Sequence, residues 1–133
     1  MVEYFVGEEY IFVLGLSHDK SVFKRIERDS LLDESISQLI KSVSVFPESQ
    51  TDKGLLAEYD ELASHVYQSL LKEVLDSLGS GVSKLTIIPD EQLSRLPFEA
   101  LVFQPNPSAH DFSELNYLLK QYTINYALSS ERL

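Results

Sequence analysis

Residues able to do chemistry are few in this chain, and they are scattered. Gly15-Leu16-Ser17-His18-Asp19 sets a serine, a histidine and an acid side by side, the types used in a nucleophilic relay. Such a relay needs side chains that converge on one point and an oxyanion hole, which immediate neighbours in an extended chain or tight turn cannot provide. The segment is therefore predicted to be a turn. Ser80 lies in Gly79-Ser80-Gly81, which lacks the spacing of a nucleophile elbow or a phosphate loop and is predicted to end a helix. His18, His65 and His110 contain no i, i+4 pair, so they make a poor metal site. Glu58, Asp60 and Glu61 form an acidic cluster without the Asp-x-Asp-x-Asp-Gly pattern of a calcium loop, and are predicted to be a solvated helix face. Arg95 and Glu99 flank Pro97; they are readable as a substrate-binding pair, but nothing favours that over a surface ion pair. The chain has no cysteine, which removes disulfides, zinc thiolates and thiol catalysis together. No catalytic, cofactor-binding or metal-binding residue is expected, and no cofactor.

The elements that would carry these residues are organised around Lys84 to Phe103, KLTIIPDEQLSRLPFEALVF. Leu85 to Ile88 is a short apolar, β-branched run that reads as a buried strand ended by Pro89-Asp90. Leu93, Leu96, Phe98 and Leu101 follow, with Pro97 suited to the first position of a short helix turning Phe98 and Leu101 inward.

Upstream, Val2 to Val6 and Tyr10 to Leu16 flank Gly7-Glu8-Glu9 and read as a hairpin. Tyr10, Phe12, Leu14 and Leu16 alternate with Ile11 and Val13, so the second strand is expected to be buried on both faces. Ser21 to Glu27 carries Lys24, Arg25 and Glu27, as expected of an edge strand. Asp29 or Ser30 could cap a first helix, with Ser30-x-x-Asp33 resembling a capping box and Leu32, Ile36, Leu39, Ile40 and Val43 at helical spacing. Phe46 to Gly54 reads as a loop. Leu55, Tyr59, Leu62, Ala63, Val66, Leu70, Val74 and Leu78 mark a long helix with one apolar stripe. Gln104 to Ser113 reads as a surface loop, Tyr122 to Tyr126 as a strand, and Ser129 to Arg132 as a helix being capped. No repeat recurs at a period of 20 to 50 residues, so the chain is not a solenoid.

Length suits one domain. The 11 Lys plus Arg against 21 Asp plus Glu leave a net charge of −10, which repels phosphate backbones and anionic lipid, so neither nucleic acid nor membrane is an expected partner. The longest apolar run, Tyr10 to Leu16, is far below the roughly 18 residues of a membrane helix, and no basic region precedes an apolar leader. A cytoplasmic location is expected. Asn106-Pro107-Ser108 is no glycosylation acceptor, because proline fills its middle position.

The organising stretch resembles a known family. Ile88-Pro89-Asp90, Leu93, Pro97-Phe98-Glu99-Ala100-Leu101, then Tyr117-Leu118-Leu119, then Tyr122, Ile124, Tyr126-Ala127 and Ser129 are similar in order and spacing to the first half of the CHAT domain. This is a caspase-like domain, abundant in bacteria and associated with tetratricopeptide (TPR) repeats. The resemblance implies an α/β fold: an N-terminal antiparallel hairpin or meander, two helices, then the start of a mostly parallel caspase-like sheet, incomplete at residue 133. It also implies a cysteine peptidase in which a histidine, usually in a His-Gly pair, activates a later cysteine. Both dyad elements normally lie downstream of the Tyr-Ala-x-Ser segment, and His18, His65 and His110 do not occupy the family's catalytic position. The expectation is thus a non-catalytic N-terminal portion spanning residues 1–133, excised from a longer protein or naturally shortened. Its partner would be the catalytic remainder of the parent chain, or a second copy joined through an exposed sheet edge. The alternative is a free-standing α/β module that binds a protein partner.

Overall fold

The computed structural model describes residues 1–44 and 53–128. Three strands open the chain: β1 (Val2–Val6), β2 (Tyr10–Leu16) and β3 (Ser21–Glu27), joined as an antiparallel meander. Gly7 N–H closes the first turn on Tyr10 O at 2.8 Å. Helix α1 (Ser30–Ser44) follows, capped by Asp29 rather than Ser30, since Asp29 Oδ1 accepts the Leu32 N–H at 2.8 Å. Asp33 is turned instead towards Arg28, 3.1 Å away.

The long periodic segment is helical from α2 (Lys53–Tyr67) through a π-helical turn (Gln68–Lys72) into α3 (Glu73–Leu78). Its buried surface is wider than the anticipated stripe: Leu56, Asp60, Ser64, Tyr67, Leu71 and Leu75 are buried as well, whereas Leu55 is exposed. In the π turn, the consecutive Leu70 and Leu71 are both buried. Gly79 ends the rod at φ +92°, a conformation that suits glycine, with its N–H on Leu75 O.

Strand β4 (Lys84–Ile88) runs parallel to β1 on one side and to β7 (Thr123–Tyr126) on the other, so the five-stranded sheet has the order β3-β2-β1-β4-β7. Antiparallel pairing thus gives way to parallel pairing at β1. Between β4 and β7 lie short 3-10 turns and a small antiparallel pair, β5 (Val102–Gln104) and β6 (Asn116–Tyr117). Gln104 therefore belongs to a strand rather than to the surface loop. Pro97 precedes the 3-10 turn Phe98–Ala100 as its cap instead of opening a helix, and Phe98 and Leu101 both point inward.

The two parallel connections cross the same face of the sheet, as expected when right-handed crossovers step in one direction. Tyr4 donates its hydroxyl to Leu70 O on that face, and its ring lies 5.5 Å from that of Phe98. Val2, Ile11, Val13, Leu85 and Ile87 complete the core beneath the helices. Gly15 lets α3 come close: a Cβ there would lie 2.6 Å from a Val74 methyl.

The opposite face of β2 is only half-buried, which corrects the expectation of burial on both sides. Phe12 stacks on Phe23 at 5.9 Å, and Arg25 lies 4.4 Å over the Tyr10 ring. The described helices pack on the other side, so among the described residues this face lacks the second layer that would bury it. No helix among the described residues is long and apolar enough to cross a membrane. Most of the expected loop at Phe46 to Gly54 lies outside the described residues, and Lys53 and Gly54 begin α2. The expected cap at Ser129 to Arg132 lies outside them altogether.

Candidate functional site

The segments that carry the sequence motif meet at one end of the sheet. At the end of β4, Asp90 Oδ2 accepts the N–H of Val6 at 2.9 Å, which ties the Ile-Pro-Asp corner to the end of β1. Leu93 and Leu96 are buried beneath the turn that follows. Phe98 sits between two tyrosine rings, Tyr4 at 5.5 Å and Tyr126 at 6.4 Å. The Tyr126 hydroxyl closes the arrangement: it accepts the Phe98 N–H at 2.9 Å and donates to Glu99 Oε1 at 2.8 Å. Burial, and then the hydrogen bond to the Glu99 carboxylate, raise the Tyr126 hydroxyl well above its ordinary pKa. Two further bonds fix the same turn, Tyr59 Oη donating to Ala100 O at 2.8 Å and Leu118 N–H to Leu101 O at 2.7 Å.

This junction joins β1, β4, β7 and α2. Among the described residues it contains carboxylates and phenols but no nucleophile beside a base. Its chemistry is that of a lock: the Asp90 carboxylate and the Tyr59 and Tyr126 hydroxyls each hold one segment against another.

The other candidate residues lie elsewhere. Ser17, His18 and Asp19 occupy the exposed turn between β2 and β3, where Ser17 Oγ donates to Asp19 Oδ1 at 3.3 Å and accepts the Lys20 N–H at 3.2 Å. Ser80 is exposed just beyond α3, and His65 and His110 are exposed on α2 and in the 105–111 loop. Among the described residues no group of three His, Cys, Asp or Glu is placed to hold a metal ion. Arg95 and Glu99 form no ion pair among the described residues; Glu99 takes the Tyr126 hydroxyl instead.

The acidic cluster divides. Glu58 and Glu61 are exposed, but Asp60 is 5% exposed and accepts the Asn106 N–H at 2.8 Å on Oδ2. The expectation of a uniformly solvated face fails for Asp60, because α2 presents it to the 105–110 loop and not to water. Periodicity offered a partial signal: Asp60 is one turn after Leu56 and three residues before Ala63, both buried. Nothing in the sequence revealed the Tyr126–Glu99 bond, which spans 27 residues.

No curated protein and no solved structure matches the chain. A family model described as CHAT domain matches residues 60–133, a span that contains Tyr59's neighbour Asp60, all of the strand β4, the Phe98 turn and Tyr126. With more than half of its length matched, and with the motif segments gathered into one interlocked junction, the chain belongs to the CHAT domain family.

Proposed function

We propose that this chain is the non-catalytic N-terminal portion of a CHAT domain, a framework on which a caspase-like catalytic portion carrying a His/Cys dyad assembles. The observation that carries this reading is the character of β7. It ends the sheet order, pairs only with β4 among the described residues, and runs parallel to it. Its sequence Thr-Ile-Asn-Tyr has no charge, and Tyr126 stays 46% exposed. A parallel strand with an uncharged outer edge is suited to pairing with a further strand. The absence of cysteine agrees with a framework role, since the family's thiol must then come from other sequence. We also propose TPR repeats, the family's frequent company, as its neighbours in the parent protein, and the cytoplasm as its place.

The test is to compare peptide cleavage by this chain alone with cleavage by the product of its encoding gene read past Leu133. The expected result is no turnover by the 133-residue chain, with activity arising only when a His-Gly and a Cys are supplied. Saturable cleavage by the chain alone overturns the proposal.

A second reading, a free-standing module that binds a protein partner, is favoured by the uncovered face of β2 and β3, where Phe23 is 63% exposed. A stop codon directly after Leu133, with stable expression of the chain alone, would support that reading over the first.

A further inference from the structure

Asp60 is a buried acid that the junction does not use. Its carboxylate is held from one side only: Oδ2 accepts the Asn106 N–H at 2.8 Å, while Oδ1 is buried without a hydrogen-bond partner among the described residues. A buried carboxylate oxygen without a donor costs more than a neutral group in the same position, so the site gains from any donor that reaches it. Asp60 also lines a cleft between α2 and the 105–110 loop, whose walls include Leu56, Ala57, Pro105 and Pro107, with His110 at its margin. The cleft thus combines apolar walls, a carboxylate with one uncommitted oxygen, and the exposed Glu61 beside it.

We propose that this cleft binds a lysine side chain presented by a protein partner, with Asp60 as its counter-ion. The apolar walls suit a four-carbon stem, and a chain of net charge −10 attracts cations to any such site. Lysine fits better than arginine because only one oxygen is uncommitted. A guanidinium gains most from a bidentate match to both carboxylate oxygens, whereas an ammonium needs a single acceptor. Oδ1 lies beneath the surface of the cleft, so entry requires residues 107–109 to swing off α2 while the Asn106 N–H stays on Oδ2. The 105–110 loop is tethered there by the Asn106 N–H and steadied by Asn106 Nδ2 on Glu114 O at 3.1 Å.

The experiment uses the full chain and three capped tripeptides, acetyl-Ala-X-Ala-amide with X as lysine, arginine or norleucine, followed by backbone amide NMR. The lysine peptide is expected to shift the amides of Asn106, Ser108 and residues 56–61, and to bind about tenfold or more tightly than the norleucine peptide, with arginine between them. Asp60→Asn keeps an acceptor for the Asn106 N–H and should remove the preference for lysine over norleucine. Ala57→Phe, made at an exposed position of the cleft wall, should block all three peptides while leaving Asp60 intact. Equal binding of lysine and norleucine peptides, an undiminished lysine preference in Asp60→Asn, or no shifts at millimolar peptide would each overturn the proposal. If Asp60→Asn proves unfolded, Ala57→Phe and the lysine–norleucine comparison in the parent chain still decide it.

Discussion

The two edges of the sheet are built differently. β3 has seven residues, three of them charged, and Lys24 reaches Glu73 on α3 at 3.3 Å. β7 has four residues and no charge, and its half-exposed Tyr126 is tied to the Phe98 turn. Charged side chains on an edge discourage further pairing, because a new strand would have to desolvate them. β3 is thus guarded against extension, whereas nothing of that kind stands on β7. The difference also follows the change of pairing at β1. The antiparallel half closes locally through tight turns, but each parallel strand arrives after a long crossover and must be held by tertiary bonds.

The comparison predicts that the β7 side depends on the Phe98 junction more than the β3 side does. Phe98→Ala should have the largest effect, about 3–5 kcal/mol, because a fully buried ring between Tyr4 and Tyr126 is lost. Denaturant unfolding measures the loss, and hydrogen exchange should show β7 opening before β2. A near-neutral variant would mean that the ring is not a support of that edge.

Gly15→Ala probes the other half. A Cβ placed 2.6 Å from the short, stiff Val74 side chain forces α3 away from β2, at about 1–3 kcal/mol. Protection should fall in β2 and β3 while β7 keeps its own; uniform loss across the sheet would show the two halves to be one cooperative unit.

Tyr126→Phe removes the hydroxyl that accepts from Phe98 and donates to Glu99, and should cost about 1–2 kcal/mol. A Tyr126→Phe chain as stable as the parent sinks the lock.

High pH loads the buried tyrosines of both halves. Burial raises the hydroxyls of Tyr4, Tyr59 and Tyr126 well above their ordinary value, and pushes Tyr67 up to about 12 from 10.0. The folded chain therefore keeps protons that the unfolded chain releases. Their stabilising effect is complete below pH 10.0 and declines as the pH rises towards about 12, where Tyr67 ionises in the folded state. Ultraviolet titration beside thermal melts checks the sign: stability rising above pH 10.0 would contradict it.

The smallest effect on stability belongs to the edge itself. Asn125→Lys, on an exposed position of β7, should change stability by less than about 0.5 kcal/mol. It should nevertheless weaken any pairing through that edge, whether with a second copy or with a catalytic portion, as read by concentration-dependent sedimentation. An equal effect from Arg25→Thr on β3 would erase the distinction between the edges.

Local pattern was enough for the meander, for α1 and for the position of β4. Alternation, turn residues and helical spacing act over a few residues, and each agreed with its neighbours. Gly79 as a helix stop and Phe98 as a core residue were legible for the same reason. The π turn was not, since Leu70-Leu71 fits an ordinary helix face about as well. The half-covered face of β2 escaped because alternating apolar residues announce two greasy faces, whereas burial depends on whether a second layer exists.

The sequence by itself determined the main helices and the strands of the large sheet, the acidic charge, the lack of a thiol and the family motif, because these are written in residue identity and short-range spacing. Only the tertiary structure decided which long-range groups meet. It set Tyr126 on Glu99 and Phe98, turned Asp60 inward to the 105–110 loop, and left β7 as an edge. Those outcomes depend on how crossovers bring distant segments together, and a hydrogen bond between residues tens of positions apart leaves no periodic trace in a chain.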